Sequence, residues 1–107
     1  MRKIAISPEA KLDLIKIKRY IKEKLLNSKA AENTIKNIII TYKELVDIPD
    51  IGIPVERYTF IPTDIRFVMS KNYNIFYNYD DEKVYIIRIL YSRMDFIDII
   101  MSQNNIK

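Results

Sequence analysis

The stretch Val84-Tyr-Ile-Ile-Arg-Ile-Leu-Tyr-Ser-Arg-Met-Asp-Phe96 decides how the chain is organised. Its first half alternates like a β-strand, and Tyr91-Ser92-Arg93 follows at the point where a short helix is expected to begin. Arg88 lies among aliphatic residues, where a buried guanidinium costs free energy unless it faces water or has a partner. An arginine at a strand end, beside a helix N-terminus, is also well placed to bind an anion. The stretch therefore predicts a sheet with a site at its end.

Two more strand-like runs precede this stretch, and short polar turns separate the three. The runs are Ile65–Ser70, Tyr73–Tyr79 and Lys83–Tyr91, joined by Lys71-Asn72 and Asp80-Asp81-Glu82. Because connections this short are typical of hairpins, the runs are expected to form an antiparallel meander. Met94–Met101 is predicted to be a short C-terminal helix.

The first half of the chain predicts a strand followed by two helices. Lys3–Ser7 reads as a strand, and Ser7-Pro8-Glu9 supplies an N-cap, a proline at the first helical position and an acidic residue. Apolar residues then recur at helical spacing over residues 8–26, and again in a second helix capped by Ser28. The repeating residues are Ala10, Leu14, Ile17, Ile21 and Leu25, then Ala31, Ile35, Ile38, Tyr42 and Leu45.

These elements predict one α+β domain over residues 1–107. The helices form a hairpin, and residues 47–64, which hold three of the four prolines and the only glycine, connect it to the meander. The expected architecture is a βαα helical hairpin packed on an antiparallel sheet that the three-strand meander completes, with a short C-terminal helix.

Composition excludes several classes of protein. The chain has 107 residues, 49% hydrophobic and 30% charged, which suits one globular domain. It contains neither cysteine nor histidine, which excludes a disulfide or a thiolate metal site and leaves carboxylates as the only good metal ligands. The side chain best suited to proton transfer near pH 7 is also missing. We expect no metal and no cofactor. No apolar run approaches the roughly 18–20 residues of a membrane span, and the N-terminus lacks a secretory signal. A cytoplasmic protein without a membrane partner is expected.

The net charge of +4 is unevenly distributed along the chain. Residues 1–29 hold nine Lys/Arg against three Asp/Glu, whereas residues 30–107 hold nine against eleven. Such asymmetry indicates an anionic partner, either a nucleic acid or an acidic protein segment. Lysine is abundant together with Ile, Asn and Tyr, so the six arginines are the more informative cations.

Period-two alternation places the arginines of the meander on one face of the sheet. The core-facing residues are predicted to be Ile65, Phe67, Met69, Ile75, Tyr77, Tyr85, Ile87 and Ile89. Arg66, Asn74, Phe76 and Arg88 then share the exposed face, with Arg93 at its rim. For the middle strand the alternation also allows the opposite choice, in which Asn74, Phe76 and Asn78 are buried. Guanidinium groups beside an aromatic ring suit a phosphate, a stacked base or an acidic peptide. The alternative is a set of separate solvent-facing charges.

Taken in order, these features resemble the RelE/ParE superfamily of toxins from type II toxin–antitoxin pairs. The resemblance covers about residues 4–100 and rests on four segments: Ile6-Ser-Pro-Glu-Ala-Lys11, Leu45…Ile48-Pro…Gly52, Tyr73-Asn-Ile-Phe-Tyr77 and Ile86-Ile-Arg-Ile-Leu-Tyr-Ser-Arg-Met-Asp95. It implies a bacterial growth inhibitor that a cognate antitoxin neutralises by binding, through a flexible segment that folds as it binds.

The superfamily includes two kinds of toxin, and the resemblance implies a different role for the arginines in each. RelE-like members are ribosome-dependent mRNA endonucleases, and ParE-like members are not enzymes but poison DNA gyrase by binding it. For a nuclease, the candidate catalytic residues are Arg66, Arg88, Tyr91 and Arg93. The arginines would stabilise charge on the phosphate, and the Tyr91 hydroxyl would transfer a proton.

The sequence departs from the nuclease pattern. Nuclease members commonly have an arginine at the position of Asn74, whereas Leu90–Asp95 is more similar to the final turn of ParE-like proteins, with matches at Arg93 and Asp95. The resemblance therefore favours a ParE-like toxin directed at gyrase. A RelE-like nuclease acting on ribosome-bound mRNA, and an inactive remnant or small binding module, are the alternatives.

Overall fold

Two long helices pack on one face of a five-stranded sheet. The structure is a computed structural model, and it describes residues 1–59 and 62–92. The strands are β1 (Lys3–Ile6), β2 (Ile53–Pro54), β3 (Arg66–Ser70), β4 (Tyr73–Tyr79) and β5 (Lys83–Tyr91). The helices are α1 (Pro8–Lys24), α2 (Ser28–Lys43) and α3 (Glu56–Thr59), with 3-10 turns at Glu44–Val46 and Pro49–Ile51. The expected C-terminal helix and Arg93 lie outside the described residues.

The sheet order is β1-β5-β4-β3-β2. The predicted meander is confirmed, because β3, β4 and β5 pair in antiparallel fashion. The first strand pairs parallel to β5, from Lys3 opposite Lys83 to Ile6 opposite Ile86, so the sheet is mixed and not wholly antiparallel as expected. Both long helices lie in the crossover that a parallel pair requires.

The cap of α1 is confirmed, and the cap of α2 lies one residue earlier than predicted. The Ser7 hydroxyl accepts a hydrogen bond from the backbone N–H of Ala10 at 2.9 Å. In α2 the capping acceptor is the side chain of Asn27, 3.0 Å from the Ala30 N–H, and not Ser28. Leu26 turns the chain between the helices with φ 52°. Neither helix is long and apolar enough to span a membrane, nor is any other helix in the described part of the chain.

The main core lies between the helical hairpin and the sheet. Its helical members come from the predicted stripes, and each large apolar side chain buried there contributes about 1.5–3 kcal/mol of transfer free energy. The buried members are Ala10, Ile38, Tyr42, Leu45, Ile75, Tyr77, Val84, Ile86 and Ile89. This core fixes how α1 crosses the sheet and so positions the site described below.

The predicted faces of β5 are wrong along its first half. Val84 and Ile86 are fully buried in the main core, whereas Tyr85 is 37% exposed. A register shift opposite Phe76 and Tyr77 leaves one extra residue in β5, Ile87, between the paired positions. Such a bulge resets the period-two alternation, which returns Ile89 to the core as predicted.

The predicted faces of β3 are also wrong. Val68 packs on the main core opposite Ile75, although it was expected to point outward. Phe67 instead pairs with Phe76 on the other face, with ring centroids 5.6 Å apart, and both side chains are buried. Because the central strands bury apolar side chains on both faces, their alternation did not reveal which face the helices cover.

Candidate functional site

Arg66 holds the connector against the sheet. One guanidinium nitrogen donates to the backbone carbonyl of Gly52 at 2.7 Å and to that of Asp50 at 3.2 Å. In the β3–β4 ladder Arg66 lies opposite Tyr77. Its charged group is therefore used inside the protein, to satisfy carbonyl oxygens of an irregular segment.

Tyr77 completes this attachment. Its hydroxyl donates to the carbonyl of Pro49 at 2.6 Å and accepts the N–H of Gly52 at 2.9 Å. Burial raises the pKa of Tyr77, which keeps the hydroxyl protonated and able to donate. A Cβ on Gly52 would lie 2.3 Å from the Tyr77 hydroxyl oxygen, so the close approach requires glycine. We call Arg66, Tyr77 and Gly52 the connector clasp.

Arg88 is paired with Asp13 of α1. Its Nε and Nη2 donate to the two carboxylate oxygens at 2.8 and 2.9 Å, and the N–H of Ile89 donates to the same carboxylate at 3.0 Å. Asp13 is buried, and its hydrogen bond with Arg88 raises the pKa of the guanidinium. The pair ties α1 to β5 just beyond the last residue that β1 covers.

The pairing of Asp13 was missed by the sequence reasoning, although two signals pointed to it. Asp13 lies three residues after Ala10 and four before Ile17, beside the buried stripe of α1. An arginine inside an apolar strand needs a partner when it does not face water.

The predicted arginine surface is not formed. Arg66 lies opposite Tyr77 and Arg88 opposite Phe76, and neighbouring residues of a strand point to opposite faces. Asn74, expected to be exposed, is 3% exposed, and its Oδ1 has no hydrogen-bond partner in the described part of the chain. Arg93 lies outside the described residues. The prediction of a shared arginine surface is therefore wrong. The catalytic roles suggested for Arg66, Arg88, Tyr91 and Arg93 stay predictions.

Tyr91 lies at the edge of a groove between α1 and the ends of β4 and β5. The groove has a volume of about 790 Å³. Its lining is mostly apolar and aromatic: Asp13, Lys16, Ile17, Tyr20, Ile21, Leu25, Ala30, Thr34, Asn72, Tyr73, Arg88, Ile89, Leu90 and Tyr91. The rings of Tyr91 and Tyr73 pack edge to face, with their centroids 5.7 Å apart. Burial, with Tyr91 and Tyr20 nearby, raises the pKa of Tyr73. We call this feature the tyrosine groove.

Comparison with known proteins identifies the family. A family model described as the ParE toxin of the type II toxin–antitoxin system parDE matches residues 4–96. The chain belongs to the ParE toxin family. Among solved structures, ten chains match. One is from the chromosomal ParDE toxin–antitoxin system of P. aeruginosa, with a TM-score of 0.71 and 16% identity over 85% of this chain and 96% of that one. At that identity the likeness shows the fold. No curated protein sequence matches significantly.

Membership of the ParE family confirms the predicted superfamily and the preference for its ParE-like branch. The protein is thus the toxin of a type II pair, and an antitoxin is its partner. Within residues 1–59 and 62–92, no three carboxylates come together as a metal-binding group. The tyrosine groove is larger than the pocket of about 420 Å³ that Lys18 of α1 and residues of α2 line.

Proposed function

We propose that this ParE-family toxin arrests growth by binding DNA gyrase in the cytoplasm, and that its antitoxin holds it inactive until released. Family membership over residues 4–96 is the observation that carries the proposal. Gyrase poisoning in this account is a binding event and needs no catalytic group on the toxin.

The positions of the arginines support binding over RNA cleavage. Cleavage of a phosphodiester needs several donors aimed beforehand at the one point where negative charge develops. Arg66 donates to the carbonyls of the connector, and Arg88 is held by the carboxylate of Asp13. The two lie on opposite faces of the sheet, so they do not converge on one phosphate.

The toxin's target is tested by inducing the protein without antitoxin and following DNA and mRNA in the same culture. We expect chromosome breaks and an SOS response, with mRNA intact at the time growth stops. With purified gyrase and supercoiled plasmid, the toxin should increase the amount of linear DNA covalently attached to gyrase. Ribosome-dependent mRNA cleavage without DNA breaks would contradict the proposal and restore the nuclease alternative.

Tyr91→Phe tests the proton-transfer role that the nuclease alternative gives to this residue. The substitution keeps the ring that contacts Tyr73 and removes only the hydroxyl, the group of this side chain that could transfer a proton. A gyrase-binding toxin should keep its toxicity in a growth assay without antitoxin. A nuclease that used this hydroxyl would lose about 10²–10⁴-fold in cleavage rate.

A further inference from the structure

The turn that joins α1 to α2 holds a residue in an unfavourable backbone conformation. Leu26 has φ 52°, in the left-handed region that crowds the Cβ of an L-residue. It directly follows Leu25, the C-cap of α1, at a position where glycine is common because it adopts this conformation without strain. A leucine at this position therefore lowers the stability of the free toxin.

The Leu26 side chain gains little packing in return. It is 85% exposed to solvent, and unlike Leu25 it does not line the tyrosine groove. A single exposed leucine is ordinary on a protein surface, but an exposed leucine held in a strained conformation is not. Burial of this side chain against a partner would account for a leucine at this position.

The same turn also carries a lysine at a position that is unfavourable for a helix. Lys29 lies in the first turn of α2, where the positive end of the helix dipole disfavours a cation, and this turn contains no acidic residue. Residues 22–29, which we call the hairpin tip, hold Lys22, Lys24 and Lys29 against one carboxylate, Glu23. None of these four forms an ion pair within the described part of the chain. The tip is therefore an exposed leucine surrounded by unpaired positive charge.

This combination fits a folded, acidic protein surface best. An apolar anchor with lysines around it is complementary to an apolar pocket whose rim carries carboxylates. A protruding tip needs a pocket that already exists, which a folded target offers and a flexible segment that folds as it binds does not. DNA fits less well, because backbone binding rests on about 6–10 phosphate contacts and the tip offers three lysines.

We propose that the hairpin tip is the part of the toxin that inserts into gyrase. Leu26 fills an apolar pocket on an acidic surface of gyrase, and Lys24 and Lys29 pair with carboxylates at its rim. The strained leucine and the lysine of α2 lower the stability of the free toxin and are used in the complex, a known form of conflict between stability and function. This inference rests on the proposed function, because it names the contact by which the toxin binds that target.

The first test removes the side chain and the backbone strain together. Leu26→Gly should raise the melting temperature of the free toxin by about 4 °C and weaken its binding to purified gyrase about thirtyfold. Lys71→Gly is the matched control, because Lys71 has φ 53° in the turn between β3 and β4. It should raise the melting temperature by a similar amount and change gyrase binding by less than about twofold. A purely structural residue would not move stability and binding in opposite directions.

The second test reverses a charge at the tip. Lys29→Glu should weaken gyrase binding about tenfold and reduce its salt dependence, while the melting temperature of the free toxin does not fall. Lys36→Glu makes the same change at an exposed position farther along α2 and should alter the affinity by less than about twofold. Circular dichroism of each free variant shows that it is folded.

Every other outcome overturns the inference in a recognisable way. Wild-type gyrase affinity for Leu26→Gly and Lys29→Glu, or a lower melting temperature for Leu26→Gly, would show that the tip serves the fold or nothing, while the proposed function stands. If the two variants instead lose affinity for plasmid DNA alone, or only for the antitoxin, that molecule is the partner of the tip. If the wild-type toxin does not bind gyrase at all, the proposed function fails and the inference fails with it.

Discussion

The two ends of the sheet use their polar groups in opposite ways. At one end Ile6, Ile86, Tyr77 and Arg66 lie in register across four neighbouring strands, and the connector clasp ties the irregular segment to them. We call this the closed end. At the other end, which we call the open end, β5 has lost its parallel neighbour and Tyr91 borders the tyrosine groove. The polar groups of the clasp are bonded inside the protein, whereas the open end leaves the rings of Tyr20 and Tyr91 partly exposed.

The two arginines of the meander illustrate this difference. A guanidinium in a sheet was expected to serve binding, but Arg66 serves the connector and Arg88 serves the contact between α1 and β5. The tyrosine groove is instead lined by tyrosines and a lysine, beside the part of β5 that β1 does not cover. The cost of leaving a buried cation unpaired explains why arginines so placed are used internally.

The largest expected effect on stability follows from removing the carboxylate of Asp13, which lies between the two ends. Asp13→Ala leaves Arg88 and the N–H of Ile89 without their shared acceptor. Breaking a buried ion pair from one side should lower the free energy of unfolding by about 3 kcal/mol, measured by urea denaturation. Glu23→Ala, at an exposed position of the same helix, is the control and should change it by less than about 0.5 kcal/mol. A loss below about 1 kcal/mol for Asp13→Ala would contradict this, because it would mean that the Asp13–Arg88 pair contributes no more than a surface ion pair.

The next largest effect concerns the closed end. Gly52→Ala inserts a methyl group 2.3 Å from the Tyr77 hydroxyl oxygen. This overpacking should lower the free energy of unfolding by about 2 kcal/mol. Tyr77→Phe alone leaves the carbonyl of Pro49 and the N–H of Gly52 without their partner, which should cost about 1–3 kcal/mol.

Combining these two substitutions tests the clasp as a unit. The double variant should be more stable than the sum of the single losses predicts, because Tyr77→Phe removes the atom that the new methyl group meets first. Chemical denaturation of all four proteins gives the coupling free energy. If the change in the free energy of unfolding of the double variant equals the sum of the two single changes within about 0.3–0.5 kcal/mol, the two residues do not act together.

The smallest expected effect is at the turn between β4 and β5. The carboxylate of Asp80 accepts the N–H groups of Glu82 and Lys83, each at 2.8 Å, and these bonds lower its pKa below the ordinary value of an aspartate. A carboxyl whose pKa is lowered by folding adds stability above its unfolded pKa, and this is lost as the pH falls through the folded value. The urea midpoints of wild type and Asp80→Ala should therefore differ at pH 6 and converge near pH 2. A difference that persists at low pH would assign the effect to something other than the charge.

Local signals in the sequence predicted most of the fold. Ser7 and Pro8 define the start of α1, and two short polar turns define the meander, because both depend on residues close together in the chain. The face of each strand depends on the rest of the fold. Phe67 and Phe76 are buried on the side away from the hairpin, and the bulge at Ile87 shifts the alternation.

The tyrosine groove was beyond sequence reasoning for a related reason. It depends on where β1 stops relative to β5, which is set by the pairing of Ile6 with Ile86 across 80 residues of chain. Tyr91 was singled out for its hydroxyl, but Tyr20 and Lys16 were assigned no role in a site. Only the crossing of α1 over β5 brings these residues together.

Backbone amide hydrogen exchange of the free toxin, followed by NMR, tests the contrast between the two ends most directly. We expect slow exchange at Gly52, whose N–H donates to the buried Tyr77 hydroxyl, and fast exchange at Tyr91, in the part of β5 that β1 does not cover. Fast exchange at Gly52 together with slow exchange at Tyr91 would contradict the account.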